Sequence, residues 1–176
     1  TSGADYVDYT IADSTVVPVQ HAAQYSEKVI RMPHCYQMNH NEFKDRGDPG
    51  TRRRWGLPEK GMVFCSFNNP YKIDPSLFKC WASILRQVPG SVLWLYEDNP
   101  IAVYRLRAAA REHHINPDRL VFSSKIALPD HLRRLELADL ALDTVTYNGG
   151  ATTANALWAG LPVLGMMGGH WVSRMT

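Results

Sequence analysis

Several motifs that would have identified a nucleotide or metal enzyme at once are missing from this chain. Neither G-x-G-x-x-G nor G-x-x-x-x-G-K-[ST] occurs, which disfavours a dinucleotide dehydrogenase and a P-loop enzyme. There is no D-x-D carboxylate pair, the obvious way to hold a metal against a diphosphate. Cysteine is scarce: Cys35, Cys65 and Cys80 are odd in number and lack C-x-x-C spacing, which suits reduced thiols in a cytoplasmic protein better than a disulfide framework. The seven histidines are scattered, so no zinc site is expected, and no Ser/His/Asp or Cys/His nucleophile pair follows from spacing. No run approaches the length of a membrane span, so no membrane partner is expected. A net charge of +2 gives no basis for a nucleic-acid partner, and the one basic cluster, Arg52-Arg53-Arg54, reads as a solvated loop without a partner. Starting without Met and stopping at Ser173–Thr176, where a further helix would begin, the chain reads as an excised piece.

What is present suits an α/β core: 176 residues with 45% hydrophobic content, enough for one ordinary globular unit. A small leading unit comprises a strand over Tyr6–Ala12, a helix over Pro18–Tyr25 and a strand over Lys28–Met32. From His34 to Lys60 the composition turns polar and glycine- and proline-containing, which predicts a linker with a short helical turn near Arg52–Trp55. Strands and helices then alternate. Strands are expected at Met62–Phe67, Ser91–Tyr96, Leu120–Ser123, Leu140–Asp143 and Pro162–Met166; helices fall between them at Pro75–Gln87, Pro100–His114, Pro129–Leu137 and Thr152–Ala159. Mostly apolar strands alternating with helices imply a Rossmann-like parallel sheet covered on both faces. Ligands of such sheets sit at the carboxyl ends of the strands, so the loops Phe67–Lys72, Ser123–Pro129, Asp143–Thr152 and Met166–His170 should share one rim.

Three places on that rim can carry chemistry. In Phe67-Asn-Asn-Pro-Tyr-Lys72 an ammonium and two amides follow a strand; Lys72 neutralises phosphate or is a solvated loop lysine, and Asn68 and Asn69 are ligands or turn formers. His131, with Arg134 one turn later, stacks on or hydrogen-bonds a base, or is a surface histidine; the non-helical backbone of Ile126 to Leu128 before Pro129 offers peptide groups to a base edge. Asn148-Gly-Gly-Ala-Thr-Thr153 reads as a glycine-rich turn opening a helix, where free amides, the helix dipole and the hydroxyls of Thr152 and Thr153 favour phosphate, or as a plain turn. Trp81, Trp94 and Trp158 fall inside predicted elements and read as core.

Taken together, Thr1–Ala4, Asp8–Asp13, Gln24–Lys28, Met32–His34, Phe64–Pro75, Val88–Leu95, Arg119–Ser123, His131–Arg134, Ala138–Asp139, Leu142–Thr144 and Leu157–Gly160 resemble the catalytic region of the O-linked N-acetylglucosamine transferase family, which includes SPINDLY and bacterial homologues. The resemblance implies a GT-B glycosyltransferase. Residues 1–33 would be a remnant of the N-terminal catalytic lobe, 34–60 a linker and 61–176 the C-terminal nucleotide-sugar lobe, cut short at its end. It further implies transfer of N-acetylglucosamine from UDP-N-acetylglucosamine to Ser/Thr hydroxyls of a protein or peptide acceptor, by a metal-independent inverting displacement with no cofactor, in a cytoplasmic parent carrying tetratricopeptide repeats. By the same resemblance Lys72 stabilises the UDP leaving group, Asn69 assists at the phosphates, His131 packs on uracil beside Arg134, Ile126 and Leu128 read the uracil edge, Gly150, Ala151 and Thr152 form the helix start, and Asn155 binds ribose.

The chain departs from the family at four points. Asn69 stands where many animal members have Gln; Gly150 and Ala151 stand for His and Thr; Asn155 stands for Asp, and so loses a charge-assisted bond; the tetratricopeptide region and most of the N-terminal lobe are absent. A catalytically silent nucleotide-binding or interaction module, and a transferase using another nucleotide sugar, are the alternatives. The isolated fragment is expected to be inactive.

Overall fold

The computed structural model describes residues 1–39 and 48–176; part of the expected linker, residues 40–47, lies outside them. Two sheets form. Strands β1 (Tyr9–Ala12) and β2 (Lys28–Arg31) pair in parallel, Tyr9 against Lys28 and Ala12 against Arg31. Between them Val19–Gln24 is a 3₁₀ helix rather than the expected α-helix, short and without buried residues of its own.

The second sheet holds β3 (Val63–Ser66), β4 (Val92–Tyr96), β5 (Leu120–Ser123), β6 (Leu140–Leu142) and β7 (Val163–Leu164), all parallel, in the order β5-β4-β3-β6-β7. Helices α1 (Pro75–Gln87), α2 (Pro100–Glu112), α3 (Leu128–Leu135) and α4 (Ala151–Trp158) connect them. The period-two alternation of the strands sorts side chains to the two faces. Phe64, Leu93 and Leu95 meet Leu77, Phe78, Trp81 and Leu85 of α1 and Ala110 of α2; Val63, Cys65 and Trp94 meet Leu135 of α3 and Ala156 of α4. Each large buried side chain of α1 contributes about 1.5–3 kcal/mol against exposure. Asp74 starts that helix, its carboxylate accepting from the amides of Ser76 and Leu77 at 2.9 Å, with Pro75 in the first turn, where no amide donor is needed.

The strand order reverses between β3 and β6. The chain moves outward from β3 to β4 and β5, then returns to the other side of β3, so the loops after β3 and β6 diverge and leave a crevice at their carboxyl ends.

Two expectations need correction here. Arg52 is not a solvated loop residue: its guanidinium grips both carboxylate oxygens of Asp139 at 2.8 and 2.9 Å and donates to the carbonyls of Leu137 and Gly61, fastening the segment before β3 to the turn before β6. Trp158 is 41% exposed, unlike buried Trp81 and Trp94, because it sits on the outer side of α4.

Candidate functional site

The crevice is bounded by three loops that make their own supports. After β3, Asn68 turns inward and is buried; its amide donates to Asp143 Oδ1 at 2.9 Å and its carbonyl accepts the hydroxyl of Thr152 at 2.8 Å. Asn69 caps the short turn Pro70–Lys72, its side-chain carbonyl facing the amide of Tyr71 at 3.5 Å. Asn69 thus acts as a turn former, one of its two sequence readings, whereas Asn68 ties the loop after β3 to Asp143 and Thr152 beyond β6. Lys72 is half-buried; its ammonium donates to the carbonyl of Asn148 at 2.9 Å and stands 3.8 Å from the centroid of the Tyr147 ring. It is not a freely solvated lysine. Burial lowers its pKa, and the charge of Asp143 acts in the opposite sense.

After β6, Asp143 organises the glycine turn. Its Oδ1 accepts the amide of Gly149 at 2.7 Å as well as Asn68, and its Oδ2 accepts the hydroxyl of Thr176. Asn148 is 1% exposed with both ends of its side chain bonded, donating to the carbonyl of Thr144 at 2.6 Å and accepting the amide of Met175 at 3.2 Å. Helix α4 starts here one residue before the expected Thr152, and Ala154 is the first residue to close a helical bond, to Gly150 at 3.0 Å. The amides of Ala151, Thr152 and Thr153 therefore have no acceptor within the helix. The threonine hydroxyls are not the phosphate donors expected of them: that of Thr152 goes to Asn68, and that of Thr153 bonds Thr176 at 3.0 Å. The turn offers peptide groups; its hydroxyls hold its shape.

The third loop follows β5. Leu128 is not in the non-helical backbone expected before Pro129 but is the first residue of α3; proline fits a first turn, where its missing amide is no loss. Near the other end of α3, Arg134 is 2% exposed yet charged. Its guanidinium donates to the carbonyl of Ser124 and to His131 Nδ1, each at 2.9 Å, and faces the rings of Phe67 at 4.6 Å, Trp55 at 5.4 Å and Trp94 at 6.0 Å. Such an aromatic cage compensates a buried cation, whose pKa burial brings to about 10. Because Nδ1 of His131 accepts from Arg134, the neutral imidazole carries its proton on Nε2.

Burial, and then the Arg134 charge, pull His131 down from 6.5 to about 4. Between those values the unfolded chain binds the proton and the folded chain does not, so stability falls as pH falls through this window. The expected loss by the lower end is about 3 kcal/mol, at roughly 1.4 kcal/mol per unit. Urea unfolding across that pH range measures it, and a His131→Phe chain should give the flatter profile.

These loops enclose one cavity of about 570 Å³, and all ten residues expected at the site line it: Asn69, Lys72, Ile126, Leu128, His131, Arg134, Gly150, Ala151, Thr152 and Asn155. Of the expected rim, Met166–His170 contributes no lining residue; Met175 does. Tyr96, Lys125 and Tyr147 also line it without having been singled out, as do Phe67 and Tyr71 from the first motif. Lys125, three residues before the start of α3, was legible as a rim cation; Tyr147 carried no local signal beyond adjoining the glycine turn. Among the described residues the lining includes Lys72, Lys125 and Arg134 and no carboxylate, so the cavity is electropositive. No group of three or more His, Cys, Asp or Glu that could hold a metal is found among the described residues. No helix among them is long and apolar enough to cross a membrane.

A sequence profile described as "Glycosyl transferase family 41" matches residues 1–46 and 49–176. A probable UDP-N-acetylglucosamine–peptide N-acetylglucosaminyltransferase SEC of Arabidopsis thaliana is 39% identical over 169 residues, covering 93% of this chain and 17% of the relative. The UDP-N-acetylglucosamine–peptide N-acetylglucosaminyltransferase of Caenorhabditis elegans is 38% identical over 135 residues, covering 74% of this chain and 12% of its own length. A mutant of the Thermobaculum terrenum O-GlcNAc transferase superposes with a TM-score of 0.81 at 29% identity, over 96% of this chain and 32% of the solved one. The chain thus spans under a fifth of the curated relatives' length and about a third of that structure. Its α/β fold is that of the corresponding part of the O-GlcNAc transferase structure. With the profile covering nearly every residue, the chain belongs to glycosyl transferase family 41.

Proposed function

We propose that the cavity binds the UDP portion of UDP-N-acetylglucosamine and that the intact protein transfers the sugar to Ser/Thr hydroxyls of a protein or peptide acceptor, with inversion and without a metal. One observation carries this: a cavity at the sheet's switch point, sized for a small-molecule ligand and holding three cations and no carboxylate among its described lining residues. Lys72 and the free amides at the start of α4 face the diphosphate from two sides. They stabilise the negative charge that grows as UDP leaves. His131, neutral and with Nε2–H available, offers a flat apolar face and one donor to the uracil, with Ile126 and Leu128 beside it; Arg134 acts behind it, fixing the imidazole's tautomer and tilt. Asn155 reaches the ribose hydroxyls as a neutral partner, and Asn69 lies near the phosphates.

The family relationship supports this reading, since the relatives are named for this reaction. We assign residues 1–33 to the N-terminal lobe, 34–60 to a linker and 61–176 to the nucleotide lobe. In support, β1 and β2 form their own sheet with its own apolar cluster of Ala12, Val16 and Val17, which Trp171 and Met175 cover from the other end of the chain. The free thiols of Cys35 and Cys80 are exposed, in keeping with the cytoplasm.

A second reading draws on the helix start itself. Gly150 and Ala151 bring no side-chain donors, which fits a module that binds nucleotide without turning it over. Transfer of labelled sugar from UDP-N-acetylglucosamine to a Ser/Thr peptide by the full-length protein decides between the two. Incorporation is the expected result. UDP binding without incorporation from this or any other nucleotide sugar would leave the silent module.

A further inference from the structure

We propose that Tyr147 is the positioning residue for Lys72: the face of its ring, together with the Asn148 carbonyl, holds the ammonium at the cavity wall with one N–H directed to an anionic ligand. This rests on the nucleotide reading above for what the ligand is, but the geometry stands by itself. An ammonium has three donors and no acceptor. One goes to the carbonyl of Asn148 at 2.9 Å and the ring takes a second at 3.8 Å from its centroid, well inside cation–π range. The third is left for the cavity that Lys72 lines.

The perch is rigid. The carbonyl of Tyr147 accepts the hydroxyl of Thr144 at 2.5 Å, and the next residue, Asn148, is anchored by its amide to Val172 at 2.7 Å and by its side chain to Thr144. Tyr71 packs edge-on against the Tyr147 ring at 6.4 Å. Tyr147 itself is 38% exposed and belongs to none of the apolar core clusters, so its ring is not explained by packing. What it does is hold a charge. The negative face of the ring favours the ammonium form, opposing the burial that lowers the pKa of Lys72; the charged group that acts in the same sense is the Asp143 carboxylate, on the side of β6.

The role predicts a split between two variants. Phenylalanine keeps the π face and leucine removes it. With lysine Nζ chemical shifts followed by NMR, assigned by a Lys72→Arg chain, the Lys72 titration should be unchanged in Tyr147→Phe and move to lower pH in Tyr147→Leu. UDP affinity should hold in the first and fall about three- to ten-fold in the second, while affinity for uridine, which has no phosphate, stays the same in both. If the leucine chain does not fold, 3,5-difluorophenylalanine at position 147 weakens the ring's negative face at nearly constant shape and should shift Lys72 the same way. A Lys72 titration indifferent to the loss of the ring overturns the proposal. A titration split between the two variants, together with no UDP binding by the wild-type chain, overturns the nucleotide reading and supports Tyr147's role.

Discussion

Lys72→Ala in the full-length protein is expected to lower sugar transfer by about two to three orders of magnitude, the usual consequence of removing one preorganised group that stabilises charge in a transition state. The ammonium stands where it meets a diphosphate, and nothing else in the lining replaces it: Lys125 lies on the α3 side of the cavity, and the Arg134 guanidinium is spent on Ser124, His131 and its aromatic cage. The cost in stability should be small by comparison, about 1 kcal/mol, since the lysine makes one hydrogen bond and one ring contact in a half-buried setting. Lys72→Arg should recover only part of the rate, because a planar fork cannot occupy the ammonium's place between ring and carbonyl. The check is transfer of labelled sugar, measured beside thermal unfolding of the same preparations. Wild-type turnover in the alanine protein would remove Lys72 from the mechanism.

Gly149→Ala should destabilise the fold by about 2–4 kcal/mol, although glycine-to-alanine changes in permissive backbone usually stabilise slightly. The reason is space, since Gly149 does not have the positive φ that would favour glycine. A methyl built there overlaps the hydroxyl of Thr152 and lies 2.7 Å from that of Thr153 and 3.1 Å from Asp143 Oδ1. Neither hydroxyl is free to turn away, because Thr152 is bonded to Asn68 and Thr153 to Thr176. The methyl therefore breaks the network that shapes the phosphate side of the cavity, and buried polar groups lose partners at about 1–3 kcal/mol each. Thermal unfolding followed by circular dichroism should show a clear drop in midpoint; an unchanged or raised midpoint would mean the turn is less tightly packed than described. Gly150→Ala is the natural control, its added carbon meeting nothing closer than Gln37 Oε1 at 3.3 Å.

Much of the fold was legible because its signals are local. Asp74-Pro75 before an amphipathic run defines α1, whose bounds match expectation, and the apolar stretches around Cys65 and Trp94 have to be buried strands. That loop residues from distant parts of the chain line one cavity was legible because a parallel sheet puts the carboxyl ends of its strands on one rim. What stayed hidden depends on partners far away in sequence. Arg52 reads as one of three loop arginines until Asp139, 87 residues on, closes on it. The hydroxyl of Thr152 looks like a ligand group until Asn68, 84 residues earlier, takes it up. Leu128 reads as non-helical by the rule for residues before proline, a rule that a helix's first turn overrides. Tyr147 escaped notice because an aromatic residue beside a glycine turn has no distinctive pattern; its meaning comes from Lys72 lying over its ring.

Calorimetric titration of the folded chain with UDP, run in parallel on the Lys72→Ala chain and with uridine as a phosphate-free probe, tests the central claim most directly. The electropositive cavity predicts one UDP per chain, weakened strongly by Lys72→Ala, and uridine binding that the same substitution leaves alone. A folded wild-type chain that takes up no UDP, or takes it up equally well without Lys72, would contradict it.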